Sequence, residues 1–137
     1  MMRRRLLTLL VTVLAATAAF SQKTRYEVLY TFVYDQQNYD YVQKLDFASG
    51  VILRDGERSI ALNGQEYTVV RKDHETDTPE LKSLQFTVKD AQGHEYVMCF
   101  QDDASFPDAL RRHLIVFDTS NPYIWTYYVT DGGKTAP

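Results

Sequence analysis

Cysteine and histidine are the residues of this chain that most directly suggest catalysis or metal binding, and both are sparse. Cys99 lies in residues 96–100, where apolar side chains occupy both faces of a predicted strand. A reactive thiol needs an exposed, electropositive setting, so we predict a buried structural cysteine. His74, His94 and His113 stand far apart, and none begins the H-E-x-x-H pattern of a zinc site. We therefore predict neither a catalytic cysteine nor a zinc site.

Acidic residues cluster at two places that suit calcium, whose ligands in proteins are oxygen atoms. One is the segment 73–80, and the other is the pair Asp102 and Asp103. Neither has the alternating ligands or the glycine of an EF-hand loop, and the G-x-S-x-G pattern of serine hydrolases is absent. We predict solvated acidic segments in a protein that is not an enzyme and holds no metal or cofactor.

Aromatic residues are the most informative chemical feature, with 10 Tyr, 7 Phe and 1 Trp in the chain. Period-two alternation predicts two aromatic strand faces: Tyr26, Val28, Tyr30, Phe32 and Tyr34 on the first strand, and Tyr123, Trp125 and Tyr127 on the last. The opposite faces also carry apolar residues, among them Leu29, Val33, Ile124 and Tyr128. The second face must therefore be covered by a helix or loop, by a partner chain, or by a ligand.

The elements that position these residues are predicted to be strands, because apolar and polar residues alternate along most of the chain after residue 22. Asn63 and Gly64 stand between two alternating segments and suit the positive φ angles of a type I′ turn, which predicts a hairpin. Residues 72–80 are charged and interrupted by Pro79, which predicts a surface loop.

One short helix is predicted at 106–112, because Ser105 can cap its first turn and Asp108 can answer that cap. Residues 22–131 are expected to form one β-rich domain, followed by a flexible tail at 132–137. The connections are too short for parallel crossovers. The fold class is therefore all-β, an antiparallel meander of about eight short strands in a small barrel or a sandwich.

The meander of hairpins resembles lipocalin-like barrels at the level of the fold, and this resemblance implies an apolar ligand inside the barrel. The Gly-x-Trp start typical of lipocalin sequences is absent, and the single tryptophan, Trp125, lies near the end of the chain. The resemblance therefore concerns the order of strands alone.

The N-terminus predicts export. Three arginines precede an uncharged, mostly apolar run at 6–19, and small residues flank a cleavage point after Ser21. The run of 14 residues is shorter than the ~20 residues that a membrane-spanning helix needs. Residues 1–21 are therefore predicted to be a cleaved signal peptide, and the mature protein to be periplasmic or secreted, without a membrane span.

Loss of Arg3, Arg4 and Arg5 with the signal lowers the formal net charge from −3 to −6. An acidic chain repels phosphate backbones and anionic lipid, so nucleic acid is not an expected partner. The single cysteine also rules out an intramolecular disulfide, and the core must hold the domain together by packing.

These observations favour a non-enzymatic binding module for a small apolar or aromatic ligand or a sugar. Its predicted binding residues are Tyr30, Phe32, Trp125 and Tyr127, because aromatic-lined clefts and barrel mouths are common ligand sites. The alternative is a structural or interaction protein that dimerises, or docks on an envelope complex, through an aromatic sheet face.

Overall fold

The computed structural model describes residues 23–38, 40–46 and 50–136, so the predicted signal peptide lies outside the described residues. The described chain forms ten strands: β1 Lys23–Asp35, β2 Asp40–Asp46, β3 Gly50–Asp55, β4 Ser59–Leu62, β5 Gln65–Asp77, β6 Leu81–Lys89, β7 Glu95–Asp103, β8 Arg112–Asp118, β9 Asn121–Thr130 and β10 Lys134–Ala136. Every pairing is antiparallel, which confirms the all-β, antiparallel prediction. In these ranges we find no helix with the length and hydrophobicity needed to cross a bilayer.

Eight strands close into a barrel, which decides between the two predicted architectures. Strands β3 to β9 pair in chain order, and β1 pairs with both β3 and β9. Val28 of β1 shows the closure directly, because it faces Gly50 of β3 on one edge and Thr130 of β9 on the other. By the same registers, β2 continues the line of β3 along β1, and β10 continues the line of β9.

The middle of the barrel is filled by its own side chains. The buried core comprises Tyr26, Val28, Ile52, Ile60, Leu62, Tyr67, Phe86, Val88, Met98, Phe100 and Leu114. An eight-stranded barrel is just wide enough for side chains to fill. The apolar interior that the lipocalin-like resemblance implied for a ligand is therefore occupied by protein.

The predicted hairpin at Asn63 and Gly64 is confirmed, with φ angles of 51° and 86°. Its turn also supports the neighbouring strand, because Asn63 Oδ1 accepts a hydrogen bond from the Val51 N–H at 2.9 Å. Gly50 is packed so closely against this side chain that a Cβ atom there would lie 2.3 Å from Asn63 Oδ1. A glycine is thus required where β3 begins.

A β-bulge in β1 corrects the prediction of a single aromatic face. The register shifts between Val28, which faces Thr130, and Tyr30, which faces Val129. One extra residue on β1 reverses the alternation, so Tyr26 and Val28 point into the barrel while Tyr30 begins the outward series. Leu29, at the bulge, is 47% exposed.

The predicted loop at 72–80 is wrong in most of its length, because β5 continues to Asp77 and pairs with β6 as far as Asp77–Lys82. Charged residues on both faces hide the alternation, and two further register shifts interrupt it. Backbone pairing to β6 is enough to maintain a strand whose side chains face water. Only residues 78–80 form the turn.

The predicted helix at 106–112 is also wrong, because residues 104–111 form two successive turns. Phe106 N–H donates to the Asp103 carbonyl at 3.1 Å, and Leu110 N–H to the Pro107 carbonyl at 2.8 Å. The Asp103 carboxylate accepts bonds from the Ser105 N–H and hydroxyl at 2.9 and 2.7 Å, so this serine is held by the preceding strand and does not cap a helix.

The tail that was predicted to be flexible carries β10, which pairs with the first residues of β1. Tyr39 and the residues 47–49 lie outside the described part of the chain.

Candidate functional site

One end of the barrel opens as a mouth where β3, β5 and β7 end and where β6 and β8 begin. Its inner wall carries a row of charges of alternating sign on four neighbouring strands. In the strand register Asp77 lies opposite Lys82, Lys82 opposite Asp102, and Asp102 opposite Arg112. Side chains directly opposite each other on neighbouring antiparallel strands are within reach of one another. The row therefore presents donors and acceptors side by side to the interior of the mouth.

Aromatic rings form the floor beneath this row. Tyr26 and Phe100 stack with ring centroids 5.0 Å apart. Arg54, from the opposite wall, lies with its guanidinium carbon 5.6 Å from the centroid of the Phe100 ring. It also donates to the Tyr26 hydroxyl at 3.3 Å and to the Gly56 carbonyl at 3.0 Å. The floor seals the apolar core from the water in the mouth.

Row and floor together enclose the mouth pocket, a concavity of about 380 Å³. It is lined by Tyr26, Arg54, Glu75, Thr76, Asp77, Lys82, Ser83, Leu84, Phe100, Gln101, Asp102, Arg112, His113, Thr130 and Gly132. Three of these residues occupy outward-facing positions of their strands, namely Ser83, Gln101 and His113. They border the pocket because the residues next to them in sequence face inward. The mouth pocket thus combines an apolar floor with a charged rim.

Ion pairs fix part of the rim. Arg111 donates to Asp102 at 2.6 Å, and Arg112 lies 3.7 Å from the other oxygen of the same carboxylate. Lys72 lies 3.0 Å from Glu57 and 3.3 Å from Glu75, so it bridges β5 to the turn after β3. Hydrogen bonds to these two carboxylates raise the pKa of Lys72, which favours its charged form.

The outer surface of the same barrel carries an aromatic face, which we define as Tyr30, Phe32, Tyr34, Phe117, Tyr123, Trp125 and Tyr127. Phe32 and Tyr127 stack with centroids 4.7 Å apart, and Phe117 stacks on Trp125 at 5.6 Å. The Trp125 indole N–H donates to the Pro122 carbonyl at 2.9 Å, which fixes the orientation of its ring.

The loop 104–111 covers one part of this outer aromatic face. Tyr30 donates its hydroxyl to the Ala109 carbonyl at 2.9 Å, and Phe106 stacks on His113 at 4.9 Å and leans on Tyr127 at 6.4 Å. Of the three coverings that the sequence left open, a loop therefore accounts for this part. Tyr123, at the other end of β9, is 48% exposed.

The four predicted binding residues lie together, but on the outside of the barrel. Tyr30, Phe32, Trp125 and Tyr127 all belong to the outer aromatic face, and none of them lines the mouth pocket. The residues that do line it were missed as a site. Glu75, Asp77 and Asp102 were considered only as members of acidic clusters. Arg54 gave no signal because it meets Phe100 only when the barrel closes.

A chain of buried polar groups runs under the outer surface. His113 Nδ1 lies 2.8 Å from the Leu110 carbonyl and Nε2 lies 3.0 Å from Gln101 Oε1, while Ser83 Oγ lies 3.3 Å from Cys99 Sγ. Burial lowers the pKa of His113 and raises the pKa of Cys99, so the imidazole and the thiol both favour their neutral forms. Cys99 is buried, as predicted.

Several carboxylates of the acidic clusters considered for calcium are engaged by protein groups. Asp73 accepts from Arg71 at 3.0 Å and from Thr87 at 2.8 Å, and Asp102 pairs with arginines. In the part of the chain that the structure describes, no three His, Cys, Asp or Glu side chains converge as a metal site would require.

Comparison with known proteins gives no match to a family model, to a curated protein or to a solved structure. Since a fold alone does not determine function, we infer function from the geometry of the mouth pocket and of the outer aromatic face.

Proposed function

We propose that this protein is a non-enzymatic binding module that holds a small polar ligand, of the size and character of a saccharide, in the mouth pocket. The observation that carries the proposal is a concave volume of about 380 Å³ with an aromatic floor and a charged rim. Ligand sites in proteins are concavities of roughly this size, with an apolar lining and a few convergent polar groups.

The two layers of the pocket suit the two kinds of surface on a sugar. Tyr26, Phe100 and Leu84 offer an apolar floor to the carbon face of a sugar ring. Asp77 and Asp102 can accept hydrogen bonds from ligand hydroxyls, and Lys82, Arg54 and Arg112 can donate them. Charge-assisted hydrogen bonds of this kind are stronger than neutral ones.

The position of the nucleophilic groups favours binding over catalysis. Ser83 borders the pocket but is only 4% exposed, and its hydroxyl lies 3.3 Å from the thiol of the buried Cys99. The burial that raises the pKa of Cys99 also disfavours its reactive thiolate form. We therefore assign the mouth pocket a role in holding a ligand without transforming it.

The test is a titration of isotope-labelled protein with maltose, lactose, cellobiose and chitobiose, followed by amide chemical shifts. We expect shifts confined to the inner wall, at Asp77, Lys82, Asp102 and Arg112. Asp102→Asn should weaken binding, whereas Asp73→Asn, which removes a carboxylate from the outer wall, should not. Shifts centred on Trp125 and Tyr127 would instead place the ligand on the outer aromatic face, at the residues predicted from sequence.

A second candidate function is self-association through the exposed part of the outer aromatic face. Phe117 stacks on Trp125 there, and the exposed Tyr123 precedes Trp125 by two residues on β9. The outward positions of β8 and β9 at 113–117 and 123–129 carry no charged residue. On an acidic protein, an uncharged face is where a second copy meets the least repulsion. Sedimentation of the wild type and of Tyr123→Ser should then give a dimer and a monomer, and a wild-type monomer at all concentrations would contradict this function.

A further inference from the structure

The charges that face the mouth pocket are equal in number but differ in their partners. Three are cationic and three are anionic: Arg54, Lys82, Arg112, Glu75, Asp77 and Asp102. Equal numbers would give no preference for the charge of a ligand if each cation had its own carboxylate. Which of these charges are already neutralised by ion pairs therefore decides what the pocket attracts.

Two of the three carboxylates are engaged by cations that do not line the pocket. Asp102 receives its short contact from Arg111, at 2.6 Å, and keeps only a contact of 3.7 Å with Arg112. Glu75 lies 3.3 Å from Lys72. Arg111 therefore offsets much of the charge of Asp102, whereas Lys72 is shared between Glu75 and Glu57, the nearer of the two at 3.0 Å.

The cations are less well compensated. Arg54 has neutral hydrogen-bond acceptors, the Tyr26 hydroxyl and the Gly56 carbonyl. Neither Arg54 nor Lys82 forms an ion pair with any residue in the described ranges. With Arg112 at a distance of 3.7 Å from Asp102, three cations face a volume whose remaining carboxylates are Asp77 and Glu75, so positive charge is in excess.

The chain after β9 holds two of the lining side chains in place. A Cβ atom at Gly132 would lie 2.6 Å from Cδ of Arg112, and one at Gly133 would lie 2.6 Å from Cε1 of Tyr26. Both glycines have positive φ, at 94° and 84°. Backbone thus packs directly against the stem of Arg112 and the ring of Tyr26, which limits their freedom before any ligand arrives.

We propose, on the premise of the function proposed above, that the ligand of the mouth pocket is an acidic saccharide. Its carboxylate is held by Arg112 with Arg54 and Lys82, and its ring rests on the floor formed by Tyr26 and Phe100. A cationic pocket on a chain with a formal net charge of −3 concentrates an anion where the rest of the surface repels it. The planar guanidinium groups match a carboxylate in geometry as well as in charge.

The experiment compares ligands that differ in one group. The full chain is titrated calorimetrically with galacturonate and galactose, and with glucuronate and glucose, which differ in a carboxylate and a hydroxymethyl group. We expect each uronate to bind at least about tenfold more tightly than its neutral partner, because a hydrogen bond to a charged group is worth about that much. Added salt should weaken the binding of the uronates and leave the affinity for the neutral sugars unchanged.

A matched pair of variants locates the effect. Arg112→Gln should reduce uronate affinity by about tenfold and galactose affinity by a clearly smaller factor, because glutamine keeps a hydrogen-bond donor for a sugar hydroxyl but loses the positive charge that attracts a carboxylate. Arg71→Gln removes an arginine of the outer wall, which is paired with Asp73 at 3.0 Å, and should change neither. If Arg112→Gln folds poorly, Lys82→Gln tests the same prediction from another strand, because it also removes a cation that faces the pocket and should also weaken uronate binding.

The outcomes separate the two proposals. If the neutral sugars bind in the mouth as tightly as the uronates, the acidic-saccharide inference is wrong and the binding module stands. If acetate binds as tightly as galacturonate, the site recognises only the carboxylate, and the proposal that its ligand is a saccharide is wrong. If none of these compounds binds, both the inference and the proposed function are overturned.

Discussion

The mouth pocket and the outer aromatic face lie on the two sides of the same strands. Charged side chains face the inside of the barrel at the mouth, and apolar side chains face the outside, which is the reverse of the usual arrangement. On β8, Arg112 points into the mouth while its neighbour His113 points outward and is 2% exposed. At the end of a barrel the interior is open to water, so charged side chains can face it. The outer wall beside it is covered by the loop 104–111, so apolar and neutral side chains can face outward.

Burial in this barrel is therefore decided by what covers a side chain and not by the side of the sheet on which it lies. Phe100 is buried because it lies below the charged row inside the barrel, and Tyr127 is buried because Phe106 and Phe32 cover it outside. One surface is therefore a concavity with a fixed floor, and the other is a second, smaller core that is closed by a loop.

The largest effect should come from removing a ring of the floor. Phe100→Ala should lower the free energy of unfolding by about 3–5 kcal/mol, the usual cost of truncating a buried phenylalanine. Phe32→Ala, which removes a partly exposed ring from the outer aromatic face, should cost about 1–2 kcal/mol. Urea unfolding followed by circular dichroism measures both. Equal losses would show that the outer face is as much a core as the floor.

The next effect concerns the glycines that approach the mouth. Gly132→Ala should cost about 1–3 kcal/mol and weaken ligand binding, because a Cβ at positive φ there must also displace Arg112. Gly93 has a similar φ of 82° with open space around it, so Gly93→Ala should cost only about 1 kcal/mol of backbone strain. If the two variants lose the same stability and bind equally, the packing of Gly132 against Arg112 has no role in the site.

A smaller effect should follow from releasing the loop on the outer side. Tyr30→Phe removes the hydrogen bond to the Ala109 carbonyl and should cost about 1 kcal/mol. Hydrogen exchange should accelerate in residues 104–111 and stay unchanged in the mouth strands β5 and β6. Tyr123→Phe, at an exposed position of the same face, serves as the control. Faster exchange in β5 and β6 would mean that the two sides are not independent.

The smallest effect should appear in the pH dependence of stability. Burial lowers the pKa of His113 below its usual 6.5, while the Leu110 carbonyl, Asp103 and Asp102 offset part of the shift. Below pH 6.5 the unfolded chain binds a proton that the folded chain does not, so this contribution to stability is lost as pH falls through the folded pKa. His113→Gln should reduce the change in the urea unfolding midpoint between neutral and mildly acidic pH. A variant with the wild-type slope would exclude His113 as its source.

Several features of the fold were predictable because they depend on neighbouring residues. Alternation along β6 placed Leu84, Phe86 and Val88 on one face, and they all pack in the core. Asn63 and Gly64 predicted their turn because these residues tolerate positive φ. The loop 72–80 and the helix 106–112 were predicted wrongly for a related reason. Their local patterns are ambiguous, and pairing with β6 and the turns before β8 decided them.

The candidate site was far less predictable than the fold. The sequence indicated that aromatic residues cover two faces of the first and last strands, and the structure does bring Tyr30, Phe32, Trp125 and Tyr127 together. It could not indicate that Tyr30 and Phe32 lie on the opposite side of β1 from Tyr26 and Val28, because a single bulge at Leu29 reverses the alternation along that strand. A bulge is set by the pairing of β1 with β9, and that pairing joins the two ends of the domain.

The sequence by itself therefore determined most of the strands, the tight hairpin and the acidic, aromatic character of the chain, because the period of two and the turn residues act over a few positions. Only the tertiary structure decided that Arg54 meets Phe100, that Gly132 holds Arg112, and that Asp77, Lys82 and Asp102 stand in one row. Those contacts arise when the barrel closes, since register between strands distant in the chain is set by the packing of all of them together.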